Sequence, residues 1–397
     1  MKKVILTFAL IILIGALVVY NLFWGQSIDA SYSLEKEDIQ NKNFLEDKKA
    51  VLYFSTTADQ DMDDKGISLA VFLNDKGEAD VYQMKGLELG SLSVHSRELM
   101  LTDKNSVRLI GKNYKEFKMK KPQYTGERAG YLKSKNFHVT IFNTGVNKNG
   151  GYDSNVWFGN NSGIQTANIP HYILASGITD NEVLILTQDT EQNLYKLRNV
   201  MFTENNVNVQ DLVTLENKTN SEFSVRSPIM SDAEFYYFIL SEFVNDTSEN
   251  TILFRVHKKT LKQEKILLAS FSNKKHPTAA IPYNVKNSAH LNNQVLYYLN
   301  GLGEIITFDT QTSKVKTSFT IKNATQDGVR HNEEIFFNRE HVYVVRYAEE
   351  MKEKYFIENY SLITGERIKT IKINGLNEIL KSVKGKSIYS YDFKMLK

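Results

Sequence analysis

Eight times along the chain a short polar turn runs into a strand that is apolar at almost every position. These strands are Val51–Ser55, Leu99–Thr102, His138–Phe142, Val183–Thr187, Phe235–Leu240, Val295–Leu299, Val342–Val345 and Ile388–Tyr391. Successive starts lie 39 to 60 residues apart. The preceding turns are alike in kind, among them Ser96-Arg97-Glu98, Thr179-Asp180-Asn181-Glu182, Ser231-Asp232-Ala233-Glu234 and Asn292-Asn293-Gln294. A recurrence on this scale points to copies of one small unit packed side by side.

The unit is clearest between Gln294 and Ile321. Val295–Leu299 is β-branched and aromatic, Asn300-Gly301 breaks it, and Glu304–Asp309 resumes it. Thr310–Lys314 turns the chain and Val315–Ile321 runs back. Asp309, Thr310, Thr312 and Ser313 suit the turn because their oxygens bond nearby backbone N–H groups. Such a unit has a half-buried face and cannot stand alone. Phe72–Val81, Ile110–Phe117, Val256–Ile266, Phe308–Val315 and Tyr360–Ile368 repeat the pattern: a strand, a Lys/Asp/Thr/Gly-rich turn, then a strand carrying Lys or Glu. Charge on the departing strand is expected where a sheet edge meets water. Glu349–Lys354 reads as another charged hairpin tip.

In this rhythm the chain resembles the β-propeller repeat proteins from about Ala50 to Lys397. The resemblance is one of fold only. The Gly-His…Trp-Asp signature of WD40 blades is absent, and Gly150-Gly151 is the one Gly-Gly pair. It implies an all-β propeller of seven blades, with eight as the alternative. The segment Leu376 to Lys397 should supply one or two strands that pair with the blade starting at Ala50 and close the ring. A pair of β-sandwiches divided near Glu216–Phe223 is the competing architecture.

Ahead of the body, Val4 to Trp24 carries no charge. At about 1.5 Å per residue it spans a bilayer core of roughly 30 Å. Tyr20 and Trp24 sit where an interfacial belt would lie, and Lys2 and Lys3 should stay cytoplasmic. The expected layout is a single-pass signal-anchor in residues 1–27, a polar stalk in 28–49 and a propeller body in 50–397 outside the bacterial membrane. The competing reading is a cleaved signal peptide with Gly25-Gln26-Ser27 at its site. The chain has no Cys, which removes disulfides, thiolate metal sites and Cys nucleophiles. Its net charge of +3 is scattered, so there is no footprint for nucleic acid.

Three constellations could carry chemistry. Asp59, Asp61 and Asp63 alternate as carboxylates do in calcium loops, but Gly66 and Ala70 stand where that loop is out of register. His95, His171, His290 and His331 lie near blade turns, where several could meet at a central channel to hold a metal or a proton. Asn143 to Gln165 combines Gly and Asn with Tyr152, Trp157 and Phe158, a mixture suited to a carbohydrate face or a peptide. The plainer reading is a long hairpin with Trp157 packed between blades. No Gly-x-Ser-x-Gly, Walker loop or dinucleotide fingerprint occurs, so no cofactor is expected. The expectation is a displayed binding or scaffold module for a protein or envelope polymer. The alternatives are a glycan-active enzyme with a carboxylate pair and a small-molecule or metal sensor.

Overall fold

The computed structural model describes residues 31–396 apart from 147–150, 190–191, 193, 205, 217–221, 246–247, 273–281 and 325–332. Seven antiparallel sheets follow one another along the chain. Blade 2 comprises Ser93–His95, Glu98–Thr102, Ser106–Ile110 and Lys115–Lys118. Blades 3, 4, 6 and 7 repeat the meander over residues 126–169, 173–214, 289–320 and 334–372. In blade 5 the innermost strand is split into Phe223–Val225 and Met230–Ser231, both paired with Phe235–Asn245. Blade 1 takes three strands from the start of the body, Lys48–Ser55, Ile67–Asn74 and Ala79–Lys85. Its innermost strand, Tyr389–Met395, comes from the far end of the chain and pairs antiparallel with Lys48–Ser55. This is the expected ring closure, and it settles the number of blades at seven.

The core consists of seven apolar clusters, each joining two neighbouring blades. The apolar runs explain how. In a strand, successive side chains point to opposite faces. Val51 and Tyr53 pack toward blade 2, while Leu52 and Phe54 pack toward blade 7. Likewise Val183 and Ile185 face blade 3, and Leu184 and Leu186 face blade 5. A strand buried on both faces is apolar throughout rather than alternating. Each fully buried Leu, Ile, Val or Phe side chain contributes about 1.5–3 kcal/mol. Where the inner strands crowd together, side chains must shrink. A Cβ on Gly177 of blade 4 would lie 1.9 Å from the Ile229 carbonyl oxygen of blade 5.

Four expectations are corrected. The first seven apolar runs are second strands of their blades, not first ones; a shorter, more mixed inner strand pairs with each, and in blades 2 to 7 it precedes the run in sequence. Ile388–Tyr391 belongs to such an inner strand. Leu376–Ser382 is a helix rather than a strand; Leu376 and Ile379, three apart on one face, are buried between blades 7 and 1. Residues 31–49 do not form a free stalk. Leu34 N–H bonds the Val81 carbonyl at 2.8 Å, Ile39 is buried, and Phe44 meets Phe72 edge-on. The two-sandwich alternative is excluded by the single ring of sheets. The segment read as an anchor, 1–27, lies outside the described residues; among those described, no helix is long and apolar enough to cross a membrane.

Candidate functional site

The inner strands surround a channel, and the segment from Pro282 to Ser288, leading into blade 6, fills its middle. Asn284 starts it: its side chain accepts the Lys286 amide at 2.8 Å and sets a single 3-10 turn, Val285–Asn287. From that turn, side chains reach across the ring. Asn284 donates to the Tyr391 carbonyl of blade 1 at 3.1 Å and to the Glu334 carboxyl of blade 7. Lys286 Nζ donates to the Leu89 carbonyl and to Ser91 Oγ, between blades 1 and 2. Arg128 of blade 3 donates to the Lys286 carbonyl at 2.9 Å. Asn287 donates to Asp392 of blade 1 at 2.8 Å, and Ser288 to the Arg226 carbonyl of blade 5 at 2.6 Å. A plug bonded to so many walls turns the channel into two pits.

The larger pit, about 780 Å3, lies at the starting ends of the inner strands, among Thr125, Ile173, Val225, Glu333 and Tyr389. The smaller, about 300 Å3, lies at their finishing ends, among Ile178, Ser231, Leu291 and Phe337. Arg128 and Lys286 line both and form the floor between them. The wall of the larger pit carries Tyr172, Tyr283, Tyr389 and Tyr391 together with Asn143, Glu127, Glu333 and Glu334. Tyr172 is 42% exposed, so the pit opens to solvent on that side.

Burial dominates the electrostatics of the floor. It pushes Glu334 up to about 8, aided by repulsion from Asp392. Glu334 therefore holds its proton at neutral pH while bonded by Ser390 and Asn284. Burial also lowers Lys286 to about 8, and draws Arg128 below its ordinary range against the pull of Glu127 and Asp392. Burial opposes the charge of Asp392 as well, but Lys394, the Leu92 amide and Asn287 outweigh it and hold that carboxyl below the usual range. Arg128 Nε donates to Ser176 Oγ at 2.9 Å, and Ser176 donates in turn to Glu127 at 2.8 Å.

The residues expected to carry chemistry are mostly dispersed. Tyr152 is exposed and its ring lies 5.4 Å from that of Tyr172, at the edge of the large pit. Trp157 and Phe158 are buried in the strand Tyr152–Asn160, facing blades 2 and 4 respectively. Their side chains point to opposite faces and do not join Tyr152. Trp157 does border a separate outer groove with Lys118, Lys120 and Lys121. Asp61 is buried against Lys104 at 2.7 Å, Asp63 turns to Lys386 at 3.3 Å, and Asp59 is exposed. Asp61 and Asp63 are matched to separate lysines instead of converging. Among the described residues no group of three His, Asp or Glu could hold a metal. His95 stacks on Tyr131, His290 on Phe337, and His171 sits in the turn after blade 3; His331 lies outside the described residues. His95, His171 and His290 do not meet in the channel. Arg128, Lys286 and Glu334 were not foreseen, since no local pattern marks a loop that plugs a ring.

Residues 43–396 match the family model described as "YycP, beta-propeller domain". The curated relative "Uncharacterized protein YycP" of Bacillus subtilis (strain 168) is 29% identical over 385 residues, 96% of this chain and 96% of that protein. Apo AztD from Citrobacter koseri is similar in structure at 10% identity and a TM-score of 0.46, over 82% of this chain and 96% of that one. BamB from Moraxella catarrhalis gives 10% identity and a TM-score of 0.39, over 71% and 76%.

Proposed function

We propose that this chain, which belongs to the YycP β-propeller family, is a binding module that takes its ligand in the large pit, at the starting ends of the inner strands. The observation that carries this reading is the plug. An open channel offers a ligand walls alone, whereas the bonded Pro282–Ser288 segment gives this one a floor with charges and a rim with tyrosines. A concave site with aromatic walls and a few convergent polar groups is the usual form of a small-molecule or short-polymer site. The composition of residues 1–27 supports display on the outer side of a membrane.

Immobilised body, residues 31–397, tests the reading against cell-envelope fractions. A component retained by the native protein and lost with the rim variant Tyr152→Ala/Tyr172→Ala supports it. Retention indifferent to the rim variant removes the pit as the site. Display is tested separately by fractionation. Deleting residues 1–30 should release the body from the membrane fraction; a body that still sediments with membranes refutes anchoring by that segment.

One observation favours a second reading, a glycan-active enzyme. Glu334 holds a proton in the same pit as Glu127, and an acid beside a second carboxylate is the apparatus of glycoside hydrolysis. Hydrolysis of an envelope glycan that survives Glu334→Gln unchanged would dismiss it.

A further inference from the structure

Among the described residues, five Lys and Arg are buried outright: Lys48, Lys104, Arg108, Arg226 and Arg346. Each lies within hydrogen-bonding or ion-pair reach of a carboxylate, Asp80, Asp61, Asp103, Glu249 and Glu333 respectively. That is the ordinary rule, since a cation withdrawn from water costs several kcal/mol unless it is paired. Arg128 and Lys286 differ: both are half-buried on the floor of the pit, and neither has such a partner. Lys286 is held by a carbonyl and a hydroxyl, both neutral. Arg128 bonds through Nε and Nη1 to a hydroxyl and a carbonyl, leaving Nη2 without a partner among the described residues. Neither makes an ion pair with a carboxylate among the described residues.

The other carboxylates of the pit do not make up the difference. Glu333 is taken by Arg346 at 3.2 Å. Glu334 is protonated, and Asp392 is matched by Lys394 at 2.9 Å. Glu127 remains, one anion against two cations, and it reaches Arg128 only through Ser176. Two cations thus lie on the floor of the pit without a carboxylate bonded to either.

We infer that this floor is an anion site, where Arg128 and Lys286 receive the single carboxylate of a ligand whose ring lies against the tyrosines of the wall. Acidic saccharides, with one carboxylate on a hydroxylated ring, combine these features. Arg128 supplies the directed N–H group, Lys286 the second charge, and Tyr172 a flat face open to solvent. Asn143 on the same wall offers an amide to ring hydroxyls. The inference rests on the pit being a binding site and adds the class of ligand.

Calorimetric titration of the body with D-glucuronate, D-glucose and inorganic phosphate tests it. Glucuronate should bind, with glucose and phosphate weaker. Arg128→Gln should weaken glucuronate by roughly tenfold or more, the worth of one charge-assisted hydrogen bond. Glu127→Gln, which removes the competing anion and leaves both cations in place, should tighten it; this keeps the test sound if the arginine variant fails to fold. The assignment is overturned if no carboxylate probe binds, if phosphate binds more tightly than glucuronate, or if glucuronate binding is indifferent to both substitutions. Glucose binding as well as glucuronate, lost in Tyr172→Ala but not in Arg128→Gln, would remove the anion floor and leave the pit as a binding site.

Discussion

The carboxylate of Asp392 accepts the backbone amide of Leu92 at 2.7 Å, tying the last strand of the chain to the connection between the first two blades. The same carboxylate takes Asn287 of the plug at 2.8 Å and Lys394 at 2.9 Å. Ring closure and channel plug thus share one buried anion.

Asp392→Ala should therefore cost about 3 kcal/mol or more, because it strands Lys394 and a backbone donor without their partner. The sign with pH follows from its depressed proton affinity. Its stabilisation is fully present above the ordinary Asp value of about 3.9 and is lost as pH falls through the lower folded value. Urea midpoints should show a loss at neutral pH that shrinks below about pH 4. A midpoint that matches the native protein at pH 7 would count against the shared role.

Glu334 acts in the opposite sense. Its folded value near 8 lies above an unfolded value of about 4.3, so the folded state holds a proton that the unfolded state has lost across that window. Stability should fall as pH rises from about 4.3 to 8, by up to a few kcal/mol. Glu334→Gln should flatten that slope and match or exceed the native protein at pH 8.5. An unchanged slope between pH 5 and 8.5 would contradict a proton held on this carboxyl.

Gly177→Ala should cost about 1–3 kcal/mol, since the new methyl meets the Ile229 carbonyl at 1.9 Å and the two inner strands must part. Gly163, in the outer strand of blade 3, has nothing within 4 Å of an added Cβ. Gly163→Ala should stay within about 0.5 kcal/mol of the native protein. Thermal midpoints of the two variants measure the difference, and equal midpoints would show that inner-strand spacing is not limiting.

Lys104 lies between buried Asp61 and exposed Asp64, at 2.7 and 2.8 Å. Lys104→Met should cost about 3 kcal/mol because it leaves Asp61 buried without its cation. Asp64→Asn should cost less than about 1 kcal/mol, as the exposed half of the pair is screened by water. Denaturant titration distinguishes the two, and similar losses would mean that both pairs act at the surface.

Legibility in the sequence followed burial. Runs such as Val51–Phe54 and Val183–Leu186 announce themselves because both their faces are hidden, so the ring and its closing pair could be read from spacing. Inner strands such as Ser93–His95 and Phe223–Val225 are three residues long and face the channel on one side, so no period forms. Leu376, Ile379 and Leu380 did carry a helical spacing, obscured by the expectation of strands. The plug was out of reach for a different reason. Lys286 finds its partners 195 and 197 residues away, and nothing local to Tyr283–Ser288 encodes the ring around it.

The borrowed innermost strand of the first blade also sets an order of events. A ribosome must pass residue 395 before Lys48–Ser55 gains its second neighbour. Until then the earliest-made sheet carries a naked edge, the condition under which nascent β-chains associate wrongly. Closure of this ring therefore waits on the synthesis of Tyr389–Met395, whatever has already folded upstream.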